Sequence, residues 1–125
     1  MNPEKSLREF GRALAQFKQA LELRAENDVI RAGCIQYFEF TFELAWKAIK
    51  AFAEDEGLSA VNSPKASLKA AFSQTWIDDE DIWLEMLDAR NRMSHTYDVK
   101  DALVIYDRLP AFVAALENLL TRLQG

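Results

Sequence analysis

The run Arg90-Asn91-Arg92-Met93-Ser94-His95-Thr96-Tyr97 sets the only histidine of the chain at fixed offsets from an arginine and a tyrosine. A guanidinium can grip two phosphate oxygens at once, an imidazole exchanges a proton near neutral pH, and a phenol adds a third polar group. Arg90, His95 and Tyr97 together could process a phosphodiester without a metal.

No other group of residues competes with this one. The chain has no glycine-rich phosphate loop and no cysteine–histidine spacing for zinc, and Ser94 is adjacent to His95 and badly placed to use it as a base. Glu39 and Glu43 share a helical face, but with Lys47 and Lys50 interleaved they read as a solvated ion-pair strip rather than an acid/base pair. Asp78, Asp79, Glu80 and Asp81 stand at a helix start, where the helix dipole favours carboxylates, so this run reads as capping before it reads as metal binding. Cys34 is the only cysteine and lies in an apolar stretch, which fits a small hydrophobe in a reducing cytoplasm.

These residues need a scaffold, and its periodicity is helical. Leu7, Phe10, Leu14, Phe17 and Leu21 step by three and four along a first amphipathic helix. Glu26-Asn27-Asp28 interrupts it and caps a second helix from about Val29 to about Glu56. There Phe38, Thr41, Phe42, Ala45, Ile49 and Phe52 line one arc that Tyr37, Leu44 and Ala48 widen, while Phe40 and Trp46 flank the polar strip. A helix apolar over most of its circumference is expected to be central to the bundle or to carry a subunit interface.

Gly57 ends this helix, and Ser63-Pro64 opens a short third one reaching about Gln74. Ile77-Asp78-Asp79 caps a fourth with a stripe of Ile82, Trp83, Met86, Leu87 and Met93, and a fifth begins near Asp98 or Val99. Pro110 falls inside the fifth pattern, so a kink is expected near Tyr106. The expected architecture is all-α: residues 1–125 as a single domain, an antiparallel up-and-down bundle of about five helices, four long and one short.

Projected at about 100° per residue, Arg90 falls within the apolar arc of the fourth helix, where leucine would be ordinary. Either an acid such as Asp98 or Asp101 meets it, or the slot opens into a groove that receives an anion. On an unbroken helix His95 would point about 140° away from Arg90. The Ser94–Asp98 stretch is rich in residues that bond their own backbone, so the helix is expected to end or bulge there and turn His95 back. Pairing two copies is the other way to bring the groups together.

The totals narrow the partners. A net charge of −5 denies the chain the general counterion-release pull on nucleic acid, so any such contact is expected to be local. No apolar run is long enough to span a bilayer and no signal-peptide pattern opens the chain, so a cytoplasmic protein without membrane contact is expected.

At Arg90-Asn91 and His95-Thr96-Tyr97 the chain resembles the HEPN superfamily. The likeness is to its HepT-like branch, also described as nucleotidyltransferase substrate-binding proteins, whose motif is arginine, four residues, histidine, any residue, tyrosine. The stretch Gln36–Lys47, the Ser63-Pro64 opening and the proline in the last helix resemble the same branch. The resemblance implies a helical homodimer with its active site in a cleft between subunits, acting as the RNase toxin of a toxin–antitoxin pair. The antitoxin would be a minimal nucleotidyltransferase that adenylylates the motif tyrosine. Arg90 and His95 would then be catalytic, Tyr97 the modified residue and Asn91 a shaper of the pocket, with RNA such as tRNA or mRNA as substrate and neither metal nor cofactor required.

Elementary chemistry agrees with this assignment. When a ribose 2′-hydroxyl attacks the adjacent phosphate, the reaction needs a base, an acid and a cation for the charge on the nonbridging oxygens. One histidine cannot be base and acid together, and a dimer would bring two copies to one phosphate. The main rival reading is a non-catalytic subunit that presents a substrate or nucleotide to a nucleotidyltransferase, using Arg90 as an anion grip. The acidic balance leans that way, whereas the titrating His95 leans toward an enzyme. A purely structural helical adaptor leaves an arginine in the apolar arc unexplained.

Overall fold

The computed structural model describes residues 2–95 and 98–125, with the side chains of Ser94 and His95 left out. Within it run α1 (Pro3–Leu21), α2 (Asp28–Asp55), α3 (Pro64–Ser73), α4 (Glu80–His95) and α5 (Val99–Gln124), with no strand among the described residues. The all-α bundle of four long helices and one short one matches the periodicity of the apolar residues.

Each helix starts where a short polar side chain satisfies its orphan amides. Asn2 accepts from the Glu4 and Lys5 amides, Asn27 from Ile30, Ser63 from Ala66, Asp79 from Ile82, and Asp98 from Lys100 and Asp101. Helix α2 stops at Gly57, whose φ of +83° lets the Leu58 amide reach back to the Ala53 carbonyl at 2.9 Å. Helix α3 stops the same way, with the Trp76 amide on the Ala71 carbonyl at 2.9 Å, but the left-handed residue is Thr75 with φ +63°. Helix α5 runs through Pro110 to Gln124, so the proline does not end it.

Helix α2 packs against all four other helices, as its wide apolar girth requires. A chain of aromatic rings marks the centre. Phe38 of α2 meets Phe17 of α1, Phe42 of its own helix and Phe112 of α5, and Phe42 reaches Trp83 of α4 with centroids 6.2 Å apart. Each such fully buried ring contributes about 2–3 kcal/mol by area. The Thr41 hydroxyl, fully buried, donates to the Tyr37 carbonyl at 2.7 Å and lies 3.3 Å from the Ala13 carbonyl, tying α2 to α1. Cys34 is buried with its thiol 3.5 Å from the Ala20 carbonyl, and burial pushes the thiol pKa up, as expected of a residue used for packing. Among the described residues no helix is long and apolar enough to cross a membrane.

Candidate functional site

The Phe42–Trp83 contact fixes the rotation of α4 against α2. Trp83, Met86 and Ala89 face the core, which leaves Arg90 at the rim of that face, opposite Glu39 and Glu43 of α2. The two glutamates are one turn apart and therefore neighbours on one helical face.

Arg90 reaches across to Glu43, Nη2 to Oε1 at 2.5 Å, with both side chains about 30 % exposed. Glu43 is fixed from its other oxygen by the Trp46 indole, which donates to Oε2 at 3.0 Å. Arg90 Nη1 donates to Asn91 Oδ1, also at 3.0 Å. A guanidinium carries its five N–H groups in a planar fork, so a carboxylate on one nitrogen and an amide oxygen on another orient the whole plane.

This differs from the partners that the sequence offered. Asp98 caps α5, and Asp101 lies beside Arg92, which it shares with Asp88, so neither is the acid that meets Arg90. Glu39 and Glu43 are not a solvated strip with Lys47 and Lys50 either. They form the acidic wall beside a cation that comes from another helix, a contact that spacing along α2 does not reveal.

Next to this cluster lies a cleft of about 220 Å³ lined by Ala32, Ile35, Gln36 and Glu39 of α2 and Met93 of α4. Desolvation raises the pKa of Glu39, Glu43 adds to the rise, and Arg90 opposes it. The described part of α4 runs to His95, two residues after Met93. The His95 side chain, and all of Thr96 and Tyr97, lie outside the described residues, and with them the expected approach of His95 to Arg90 and the placement of Tyr97.

The carboxylate run at the start of α4 resolves into structural roles. Asp79 caps the helix, and Asp78 meets Arg122 Nη2 at 2.8 Å, the hydrogen bond that holds its carboxyl below the usual range. Arg122 also donates to the Thr75 carbonyl at 3.0 Å, so this cation is a strut between α5 and the α3–α4 loop. A roomier cavity of about 280 Å³ sits there between Trp76, Trp83 and α5, but its arginine already serves that strut. The charged groups gathered where α4 meets α2 are Arg90, Glu39 and Glu43.

The profile of the family described as nucleotidyltransferase substrate binding protein like matches residues 5–125. A Haemophilus influenzae protein named "Probable ribonuclease HepT" is 32 % identical over 102 residues, covering 78 % of this chain and 70 % of that protein. A crystal structure from Thermus thermophilus superposes with a TM-score of 0.84 at 36 % identity, covering 93 % of this chain and 99 % of that one. A Haemophilus influenzae structure described as the fold of a substrate-binding domain of a nucleotidyltransferase superposes with a TM-score of 0.85 at 26 % identity, covering 95 % and 99 %. With the match running over nearly its whole length, this chain belongs to the nucleotidyltransferase substrate-binding, HepT-like family.

Proposed function

We propose that the protein is a cytoplasmic, metal-independent endoribonuclease of the HepT type, a toxin active as a homodimer and silenced by a cognate minimal nucleotidyltransferase. The observation that carries this reading is Arg90. It is a guanidinium at the edge of an apolar arc, oriented by Glu43 and Asn91, and set five residues before the only histidine. Such a tethered fork suits the nonbridging oxygens of a phosphodiester, and His95 supplies a proton carrier for the attacking or leaving oxygen. The name of the Haemophilus relative supports the activity. A second copy docked on the exposed rings of α2, where Phe40 is 54 % exposed, would add its own histidine to the same cleft.

The antitoxin's action follows from the motif. An adenylyl group on Tyr97 would bring a bulky anion close in sequence to Arg90 and compete with RNA phosphate for it. The test is cleavage of RNA by purified protein in excess chelator. The wild type is expected to cut, and His95→Ala and Arg90→Ala are expected to fall silent with unchanged helical circular dichroism. Undiminished cutting by His95→Ala would rule the reading out. Mass spectrometry after incubation with the cognate transferase and ATP is expected to find adenylate on the Tyr97 peptide.

One observation favours a second reading, a subunit that binds substrate for a nucleotidyltransferase without catalysis. Two carboxylates crowd Arg90, and a solved relative is described as a substrate-binding domain. On this reading His95→Ala would still bind its ligand and still associate with the transferase, and no variant or wild-type protein would cut RNA.

A further inference from the structure

Spacing along α2 offers Lys47 the carboxylate of Glu43, one turn before it, and offers Lys50 that of Glu54, one turn after it. Neither pair forms. Both oxygens of Glu43 are taken, one by the Trp46 indole and the other by Arg90, and among the described residues neither lysine joins an ion pair. Two ammonium groups on an acidic chain are thus left without a carboxylate partner, one of them because Arg90 has claimed its acid. Both stand beside the partly buried Trp46, and with Ala51 and Glu54 these three residues line a groove of about 300 Å³. The groove is joined to the candidate site by contacts, since Trp46 bonds Glu43 and Glu43 bonds Arg90.

Resting on the nuclease reading above for its substrate, we propose that this groove is a subsite for single-stranded RNA, taking the stretch of strand next to the phosphate that Arg90 grips. Lys47 and Lys50 meet backbone phosphates, and the Trp46 ring gives a base a face to stack on, the pairing of cation and aromatic surface that holds single strands without reading their sequence. The charges on α2 set the path. Glu39 lies on the near side of Arg90 and disfavours phosphate, whereas Lys47 and Lys50 lie one to two turns further along and attract it. Glu54 ends the basic stretch, which keeps the subsite short. A net charge of −5 gives the chain no general pull on nucleic acid, so a strand must be held by local cations of this kind.

The experiment measures binding of a labelled 2′-deoxy single strand, which cannot react, at a series of salt concentrations, beside cleavage of the matching RNA. Lys47→Gln and Lys50→Gln are each expected to weaken binding and to lower the slope of the logarithm of affinity against the logarithm of salt by about 0.7, the value for one phosphate contact on a single strand. In cleavage they are expected to raise KM with kcat little changed. Trp46→Phe gives up the indole N–H that meets Glu43 but keeps an aromatic face, and is expected to bind the strand within about twofold of wild type, whereas Trp46→Leu is expected to bind about 10-fold more weakly. If both lysine variants keep the wild-type affinity and salt slope, or Trp46→Phe binds as weakly as Trp46→Leu, the proposal is overturned, and cutting by wild type leaves the nuclease reading in place. If binding follows the two lysines and the ring while wild type does not cut, the nuclease reading falls and the subsite stands as a strand-binding groove. A wild type that binds no strand overturns both.

Discussion

Arg90 of α4 and Glu43 of α2 form an ion pair that joins these two helices, and Trp46 holds the carboxylate from its far side. A guanidinium tethered in this way loses little conformational freedom when an anion arrives. If the proposed nuclease function holds, Glu43→Gln is expected to slow RNA cleavage about 10- to 100-fold through misplacement of Arg90. The same change is expected to cost about 1–2 kcal/mol of stability, because the pair is only partly exposed. Initial rates and chemical denaturation measure both effects. A faster variant would show instead that Glu43 competes with phosphate and restrains the site.

Trp46→Phe keeps the ring and removes the indole N–H that meets Glu43 Oε2 at 3.0 Å. The expected cost is about 1 kcal/mol, with a smaller loss of rate than Glu43→Gln. Because Trp46 acts on Arg90 through Glu43, the two substitutions should not add. A double-mutant cycle is expected to show coupling of at least about 0.5 kcal/mol, and strict additivity would separate Trp46 from the relay.

Much of this arrangement was legible in the sequence, and the limit falls at a definite physical boundary. Asn27, Ser63, Asp79 and Asp98 cap helices because capping is local, and the wide apolar girth of α2 announced its central place. The sequence also singled out Arg90 as a charge in an apolar arc. It offered Asp98 and Asp101 as partners because they are near in the chain, whereas the acid that meets Arg90 is set by how α4 is rotated against α2 through Phe42 and Trp83. Lys47 and Lys50 drew Glu39 and Glu43 into a solvated strip for the same reason, since helical spacing shows neighbours along α2 and not those across from it. The signal that could have found the pair was the demand of Arg90 itself for a carboxylate on another helix.

Nothing local marked Thr75 as the left-handed end of α3, and this misfit gives a stability prediction. At φ +63° a β-branched residue pays a steric cost that glycine avoids, even after glycine's larger loss of chain entropy. Thr75→Gly leaves the backbone carbonyl that receives Arg122 in place. It is expected to stabilise the fold by about 1 kcal/mol, raising Tm by about 3–6 °C in a thermal melt. RNA cleavage is expected to be unchanged, because the α3–α4 loop lies apart from Arg90. A lower Tm would show that the threonine side chain contributes more than its backbone costs.

The pH dependence of stability carries opposite signs at two glutamates. Hydrogen bonds from Arg108, at 2.7 and 2.9 Å, hold the Glu85 carboxyl below its ordinary 4.5, so its contribution is present above that value and is lost as pH falls through the lowered folded pKa. Glu39 behaves in reverse. Desolvation raises its pKa above 4.5, so the folded state binds the proton more tightly than the unfolded chain, and the resulting stability is present below 4.5 and lost as pH rises through the raised value. Denaturation at a series of pH values is therefore expected to show Arg108→Ala converging with wild type in strong acid, where Glu85 is protonated in both. Glu39→Gln is expected to gain on wild type as pH rises from about 4 toward neutrality, because the amide never bears the buried charge. A constant gap between Glu39→Gln and wild type across that range would mean that the carboxylate is as well solvated folded as unfolded.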